Sequence, residues 1–163
     1  MKGDVERVLS ALNQAEVRYL VVGGVAVVLH GFLRTTRDLD LVIQLEADNL
    51  RRALRALQDL GFQPVVPVPM EAFADPAIRE SWIRDKNLVV FSLWHPERPG
   101  FQLDLFASEP FDFHTVYGRA LRVSLEMTET TVIAARDLID LKRQAGRSQD
   151  LADIEALEAL EKD

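Results

Sequence analysis

Two carboxylates at alternate positions, Asp38 and Asp40, are the residues of this sequence best suited to chemistry. They begin the segment 38–44, whose intervening residues are apolar and whose alternation predicts a strand. Residues two apart on a strand point the same way, about 6 to 7 Å from each other. Two acids so placed repel each other, which favours a bound cation such as Mg²⁺, although the pair alone fits a solvated strand edge equally well.

The segment before this strand ends in two adjacent glycines, Gly23 and Gly24. Tyr19–Val22 is apolar and β-prone, and 25–29 continues as a helix, so we predict a strand, a Gly-Gly turn and a helix. Backbone N–H groups at a helix start attract phosphate, and glycine permits close approach. Such a turn alone is more often a tight bend. Its pairing with the acidic strand is more specific, because neighbouring strands would bring a triphosphate and its metal together.

A third acid, Asp104, stands alone between Leu103 and Leu105 in a segment that has the pattern of a buried strand. A buried carboxylate without a partner is costly. Three carboxylates at one end of a sheet would suit two metal ions, one orienting the leaving phosphates and one lowering the pKa of an attacking hydroxyl.

The remaining elements follow from hydrophobic periodicity and from the positions of glycine and proline. We predict helices at 5–15 with Asp4 as N-cap, at 48–60 with Gly61 after its end, at 76–84, at 132–145, and at 148–161 with Ser148 as N-cap. We predict an antiparallel hairpin of strands 88–94 and 101–106, a strand at 121–125, and an edge strand or connector at the proline-rich 63–70. The last two helices form a helical hairpin.

The composition, 48% hydrophobic and 28% charged, is that of an ordinary globular protein. At 163 residues we predict a single structural domain, with a core at 1–126 and a helical hairpin at 127–163 packed on it.

The absence of cysteine excludes disulfides and thiolate catalysis, so the cytoplasm is the expected location. No signal peptide or membrane span is expected. A net charge of -7 disfavours strong general binding to nucleic acid.

Three motifs together resemble the nucleotidyltransferase fold of the DNA polymerase beta superfamily. They are Val22-Gly-Gly-Val-Ala with His30-Gly31, then Arg34-Thr-Thr-Arg-Asp-Leu-Asp40, and later Leu103-Asp-Leu-Phe106. The tail segments 137–142 and 146–153 resemble more narrowly the small prokaryotic branch that includes AbiEii-type toxins and minimal nucleotidyltransferases. The resemblance spans most of the chain and implies an α+β fold, with a mixed, mostly antiparallel sheet flanked by helices.

The resemblance implies transfer of a nucleoside monophosphate from an NTP to a hydroxyl, with release of pyrophosphate and with Mg²⁺ or Mn²⁺ as cofactor. Gly23 and Gly24 would hold the triphosphate. Asp38 and Asp40 would bind metal, and Asp104 would complete the metal site and help to activate the acceptor.

Three further residues, Arg34, Thr36 and Lys142, match positions that contact phosphate in this branch. For Lys142 an exposed cation near the end of its helix is an equally weighted alternative. Asp150 and Asp153 lie in the first turn of the last helix, where we expect them to stabilise the helix dipole rather than to bind metal.

The acceptor implied by the resemblance is a hydroxyl of RNA, of a protein or of a small molecule, in an enzyme that could belong to a toxin-antitoxin or abortive-infection system with a cognate partner protein. A non-catalytic, antitoxin-like binding protein is the main alternative. A phosphatase or nuclease ranks last, because it gives no reason for the Gly-Gly turn. Polymerase activity is not expected, since the chain has no base-reading domain.

Overall fold

The acidic strand lies at the centre of one seven-stranded sheet in the computed structural model, which describes residues 2–161. The strands are β1 Tyr19–Val22, β2 Asp38–Ile43, β3 Gln63–Pro64, β4 Val90–Trp94, β5 Gln102–Phe106, β6 Leu121–Ser124 and β7 Glu129–Val132. Their order across the sheet is β3-β4-β5-β2-β1-β7-β6. The pairs β1/β7 and β2/β5 are parallel and the other four are antiparallel, so the sheet is mixed and mostly antiparallel, as predicted.

Seven α-helices and one 3-10 helix, Met70–Ala74, accompany the sheet in the described residues. The α-helices are α1 Lys2–Gln14, α2 Gly23–Leu29, α3 Ala47–Asp59, α4 Pro76–Lys86, α5 Phe113–Gly118, α6 Ala135–Ala145 and α7 Ser148–Glu161. Between residues 2 and 161, no helix is both long and apolar enough to cross a membrane.

The core forms where apolar strand and helix faces meet. All four residues of β1 are buried, and β2 buries each residue except its two acids. The predicted stripe of α3 is buried through Leu50, Leu54 and Leu57. Gly61 follows this helix at φ +103, which is the left-handed conformation expected after a helix end. The buried apolar residues of β1 and β2 therefore hold in place the two strands that position the acids.

The sequence prediction was wrong at several element boundaries. Val132 ends β7, where it is fully buried beside Val21, and the next helix begins only at Ala135. The apolar spacing of the helix continues into the end of β7, so periodicity alone did not mark the boundary between strand and helix. Asp4 lies inside the first turn of α1, and Ser148 begins α7, so neither precedes its helix as an N-cap.

The last two helices form the predicted hairpin, and Gly146 allows the chain to reverse between them. Gly146 has φ +65 and its N–H donates to the carbonyl of Lys142. The division of the chain at residue 126 stays a prediction, and β7, which follows it, belongs to the sheet. Residues 1 and 162–163 of the two predicted ranges lie outside the described residues.

Candidate active site

One cavity of about 800 Å³ collects every residue that the sequence analysis singled out for the site. The residues are Gly23, Gly24, Arg34, Thr36, Asp38, Asp40, Asp104 and Lys142. The parallel pairing of β2 with β5 sets Asp40 directly beside Asp104, and the antiparallel pairing with β1 sets Asp40 beside Val22. The strand ends and the start of α2 therefore meet in this cavity. We call Asp38, Asp40 and Asp104 the acidic wall.

The acidic wall is electrostatically strained. Burial, followed by repulsion from Asp104 and Asp38, raises the pKa of Asp40 from 3.8 to about 7. Burial and then Asp104 also raise the pKa of Asp38, whereas Arg37 opposes this shift. Both shifts disfavour the charged carboxylates, so a cation bound among them would relieve an existing strain.

Asp104 is held by hydrogen bonds from two strands. Ser92 Oγ in β4 donates to Asp104 Oδ1 at 2.6 Å, and Gln102 Nε2 donates to the same oxygen at 2.9 Å. Ser92 is the register partner of Asp104, and Gln102 lies two residues before it on the same face of β5. Neither donor was predicted from the sequence, although strand alternation alone places Gln102 on this face.

The two glycines are the first residues of α2 itself and do not form a separate turn before it. Gly23 has φ +67, and a Cβ at this position would collide with the carboxylate of Asp40. A Cβ at Gly24 would meet Thr36 Oγ1 at 2.6 Å and Arg34 Cζ at 3.3 Å. Side chains of the site therefore pack directly on the backbone at both positions, and at Gly23 the positive φ also favours glycine.

Three cations that line the same cavity, Arg34, Lys142 and Arg147, form what we call the basic wall. Lys142 is only 5% exposed, so the interpretation of it as an exposed helix cation was wrong. Lys142 and Arg147 both act on the pKa of Asp40 and lower it, although burial and the other acids outweigh them. The two walls are thus close enough to interact.

The basic wall is anchored by two carboxylates of α7. Asp150 pairs with Arg147 at 2.8 Å and with Lys142 at 3.4 Å, and it also accepts the backbone N–H of Arg147. Asp153 pairs with Lys142 at 2.9 Å and with Arg34 at 2.6 Å. From the sequence, these two acids were predicted only to stabilise the helix dipole, and Arg147 was not predicted to belong to the site. Their spacing of three residues on one helix face, close after Lys142, was the available signal.

The groups of the cavity with the right chemistry for a metal ion are carboxylate oxygens. In the part of the chain that the structure describes, no group of three or more His, Cys, Asp or Glu side chains is placed to hold a metal ion by itself. Mg²⁺ is commonly held by one or two carboxylates together with water and substrate phosphates. The donor chemistry of the acidic wall fits such a shared site.

The fold matches that of three solved structures of nucleotidyltransferases. The lincosamide antibiotic adenylyltransferase LnuA with bound lincomycin superposes with a TM-score of 0.63 at 17% identity, over 98% of each chain. A nucleotidyltransferase-like protein from Paracoccidioides brasiliensis gives 0.61 at 20% identity, over 98% of this chain and 75% of that one. ANT(2")-Ia with adenylyl-2"-tobramycin gives 0.60 at 13% identity, over 96% and 90%. The chain therefore has the nucleotidyltransferase fold, which confirms the predicted fold class.

The family described as nucleotidyltransferase of unknown function (DUF6036) matches residues 4–162, and the chain belongs to this family. The predicted superfamily and the prediction of a nucleotidyltransferase enzyme are thereby confirmed. None of the curated proteins shows a significant match.

Proposed function

We propose that this protein transfers a nucleoside monophosphate from an NTP to a hydroxyl group, in a reaction that depends on Mg²⁺ or Mn²⁺. The observation that carries the proposal is one cavity that is lined by both the acidic wall and the basic wall. A polyphosphate with bound divalent cations has the complementary charges, because its oxygens suit the basic wall and its cations suit the acidic wall.

Asp38 and Asp40 are the proposed metal ligands, with phosphate oxygens of the NTP completing the coordination and Asp104 beside them. A divalent cation bound there would neutralise charge on the phosphates and lower the pKa of the acceptor hydroxyl. The raised pKa of Asp40, caused mainly by burial, supports this assignment.

In the proposed reaction the acceptor oxygen bonds to the α-phosphorus of the NTP, and the bond between that phosphorus and the oxygen bridging to the β-phosphate breaks. Asp104 receives the acceptor proton, with Ser92 and Gln102 fixing the position of its carboxylate. The basic wall stabilises the charge of the departing pyrophosphate, and the backbone N–H groups of Gly23 and Gly24 at the start of α2 are the proposed further contacts of the triphosphate. Positioning and charge stabilisation account for most of the catalysis in such transfers.

We propose that the acceptor is a small molecule, with RNA and protein hydroxyls as the alternatives. A volume of about 800 Å³ lies within the range of small-molecule sites, and apolar side chains, including Val89, Val90 and Phe106, line part of the cavity. LnuA with lincomycin and ANT(2")-Ia with adenylyl-2"-tobramycin supply two cases of this fold acting with small acceptors.

A place in a toxin-antitoxin or abortive-infection system, a cognate partner protein and a cytoplasmic location stay predictions from the sequence. The antitoxin-like, non-catalytic alternative would be favoured by the loss of an acid from the site. All three acids are present and line the same cavity, so we propose the active enzyme.

Incubation with each labelled NTP, with Mg²⁺ or Mn²⁺, and with a small-molecule extract, total RNA or total protein tests the proposal. We expect metal-dependent release of pyrophosphate and a labelled product in the small-molecule fraction. Label in RNA or protein would correct the acceptor but retain the chemistry. No transfer in any fraction, with either metal, would refute the proposed function.

The single replacements Asp38→Ala and Asp40→Ala should each lower the rate of pyrophosphate release at least 100-fold, because each removes a proposed metal ligand. Both variants should remain folded, because removal of one acid relieves repulsion within the acidic wall. Asp85→Ala, an exposed acid whose partner is Arg84, is the matched control and should keep wild-type activity. Full turnover in both cavity variants would show that the acids have another role.

A further inference from the structure

Asp153 is a fully buried carboxylate that lies behind the basic wall. Its oxygens accept hydrogen bonds from Arg34 Nη1 at 2.6 Å and from Gln149 Nε2 at 3.0 Å, and one of them forms an ion pair with Lys142 Nζ at 2.9 Å. Its side chain is 0% exposed and does not line the cavity, whereas all three donors do. Asp153 therefore cannot touch a ligand there and can act only through its partners.

The three partners come from three different segments of the chain. Arg34 lies in the connection between α2 and β2, Lys142 lies in α6, and Gln149 lies in α7 beside Asp153. Arg34 and Lys142 are long, flexible cations, and each would lose rotamer freedom on binding a phosphate. Their common contact with buried Asp153 already restricts them in the free protein, so less conformational entropy is lost when the ligand binds.

Both cations keep donors for a ligand. Lys142 Nζ has three N–H groups, of which one donates to Asp150, while the ammonium group forms an ion pair with Asp153. Arg34 directs Nη1 to Asp153 and Nε to the carbonyl of Thr35, and its guanidinium carries five N–H groups in all. The anchor therefore aims the two side chains without using all their donors.

Resting on the proposed function, we infer that Asp153 is a positioning residue for polyphosphate, which fixes Arg34 and Lys142 on the basic wall. A purely electrostatic role would act in the opposite direction, because a carboxylate near the phosphates repels them. Positioning outweighs this repulsion, since the cations stand between Asp153 and the cavity and meet the phosphates at contact distance. Coulomb energy falls with separation, so the nearer charges dominate.

Two replacements separate positioning from charge. Asp153→Asn removes the charge with little change in shape, and Asp153→Glu keeps the charge but moves the carboxylate by one methylene. We expect both to weaken the binding of inorganic triphosphate with Mg²⁺, measured by calorimetry, by roughly tenfold to hundredfold, the range of one charge-assisted hydrogen bond. The electrostatic role predicts tighter binding for the first variant and unchanged binding for the second.

A double-mutant cycle with Arg34→Ala shows whether the effect passes through that side chain. If Asp153 acts through Arg34, Asp153→Asn should weaken binding clearly less in the Arg34→Ala background than in the wild type. Glu158→Gln, which removes an exposed ion pair of α7 with Arg143, is the matched control and should bind normally. Thermal melting of each variant shows that it is folded, and the Asp153→Glu result decides alone if Asp153→Asn does not fold.

The outcomes also separate the inference from the proposed function. Normal or tighter triphosphate binding by folded Asp153 variants, with normal binding by the wild type, would overturn the inference alone. Wild-type protein that binds triphosphate but transfers no nucleotide would refute the proposed reaction and leave the role of Asp153 supported by its own binding data. No binding by the wild type would overturn both.

Discussion

Gly23 and Asp40 are mutually constrained, because the carboxylate occupies the space that a side chain at Gly23 would need. We expect Gly23→Ala to displace Asp40 and to reduce transfer at least tenfold, in addition to the cost of about 1 kcal/mol or more for a positive φ. Turnover and thermal melting measure the two effects. Gly31→Ala is the matched control, since Gly31 has φ +108 but open space around an added Cβ. It should lose stability and keep activity, and equal losses of activity in both variants would contradict the assignment.

The raised pKa of Asp40 makes stability depend on pH. Burial, with Asp104 and Asp38, raises this pKa from 3.8 in the unfolded chain to about 7 in the folded one. The folded state therefore holds its proton more tightly, and this contribution to stability is lost as pH rises from about 4 through about 7. We expect Asp40→Asn, measured by melting in EDTA, to match the wild type near pH 4 and to melt several degrees higher at pH 8.

Asp112 provides a control of opposite sign for that experiment. Hydrogen bonds from the Thr115 side chain and then its backbone N–H lower the pKa of Asp112, the residue that caps α5. Its contribution is present above the unfolded pKa and is lost as pH falls, so Asp112→Asn should be less stable than the wild type at pH 8. An Asp40→Asn variant that behaved in the same way would show that Asp40 is not strained.

At the scale of elements, β4 supports the acid carried by β5. Ser92→Ala removes the donor that fixes Asp104 Oδ1 from the neighbouring strand. Because Asp104 is proposed to act on the acceptor and not on the NTP, kcat should fall about tenfold while KM for the NTP stays within about twofold. Ser124→Ala, at an exposed position of the edge strand β6, should change neither value. A change confined to KM for the NTP would show that Asp104 acts on the NTP and not on the acceptor.

Elements with a strong local pattern were predictable, and elements defined by distant partners were not. The hairpin of β4 and β5 and the amphipathic α3 follow from turn residues and apolar spacing. Neither α5, which has only six residues, nor β7, which has four and pairs with β1 and β6, was predicted from the sequence. The equally short β1 was recognised by its four apolar or aromatic residues, whereas β7 has the sequence Glu-Thr-Thr-Val and α5 is too short to show a helical period.

At the scale of the whole molecule, the net charge of -7 restricts the partners of the cavity. The basic wall is small, and its cations are paired with Asp150 and Asp153. We expect triphosphate with Mg²⁺ to bind, but unstructured RNA or duplex DNA to bind more weakly than about 10⁻⁴ M at physiological salt, because nonspecific binding needs many phosphate contacts. Fluorescence anisotropy with labelled oligonucleotides measures this, and micromolar affinity would contradict the prediction of weak general binding.

Many residues of the cavity could be singled out from the sequence. The acids Asp38 and Asp40 stood out because alternate carboxylates are unusual in an apolar strand, and Asp104 stood out as an isolated charge between leucines. That these residues share a cavity with Lys142 depends on the strand order and on the packing of the helical hairpin. The roles of these residues in metal binding and catalysis remain proposals.

The sequence by itself determined which residue types are available and where the chain can turn, since periodicity, glycine and isolated charges are local properties. It determined the acids, the glycines and the helical hairpin. Only the tertiary structure decided that β5 pairs in parallel with β2, which sets Asp104 beside Asp40, and that Asp153 joins Arg34 to Lys142. Contacts between residues more than 60 or 100 positions apart depend on strand order and packing, and these are properties of the folded chain.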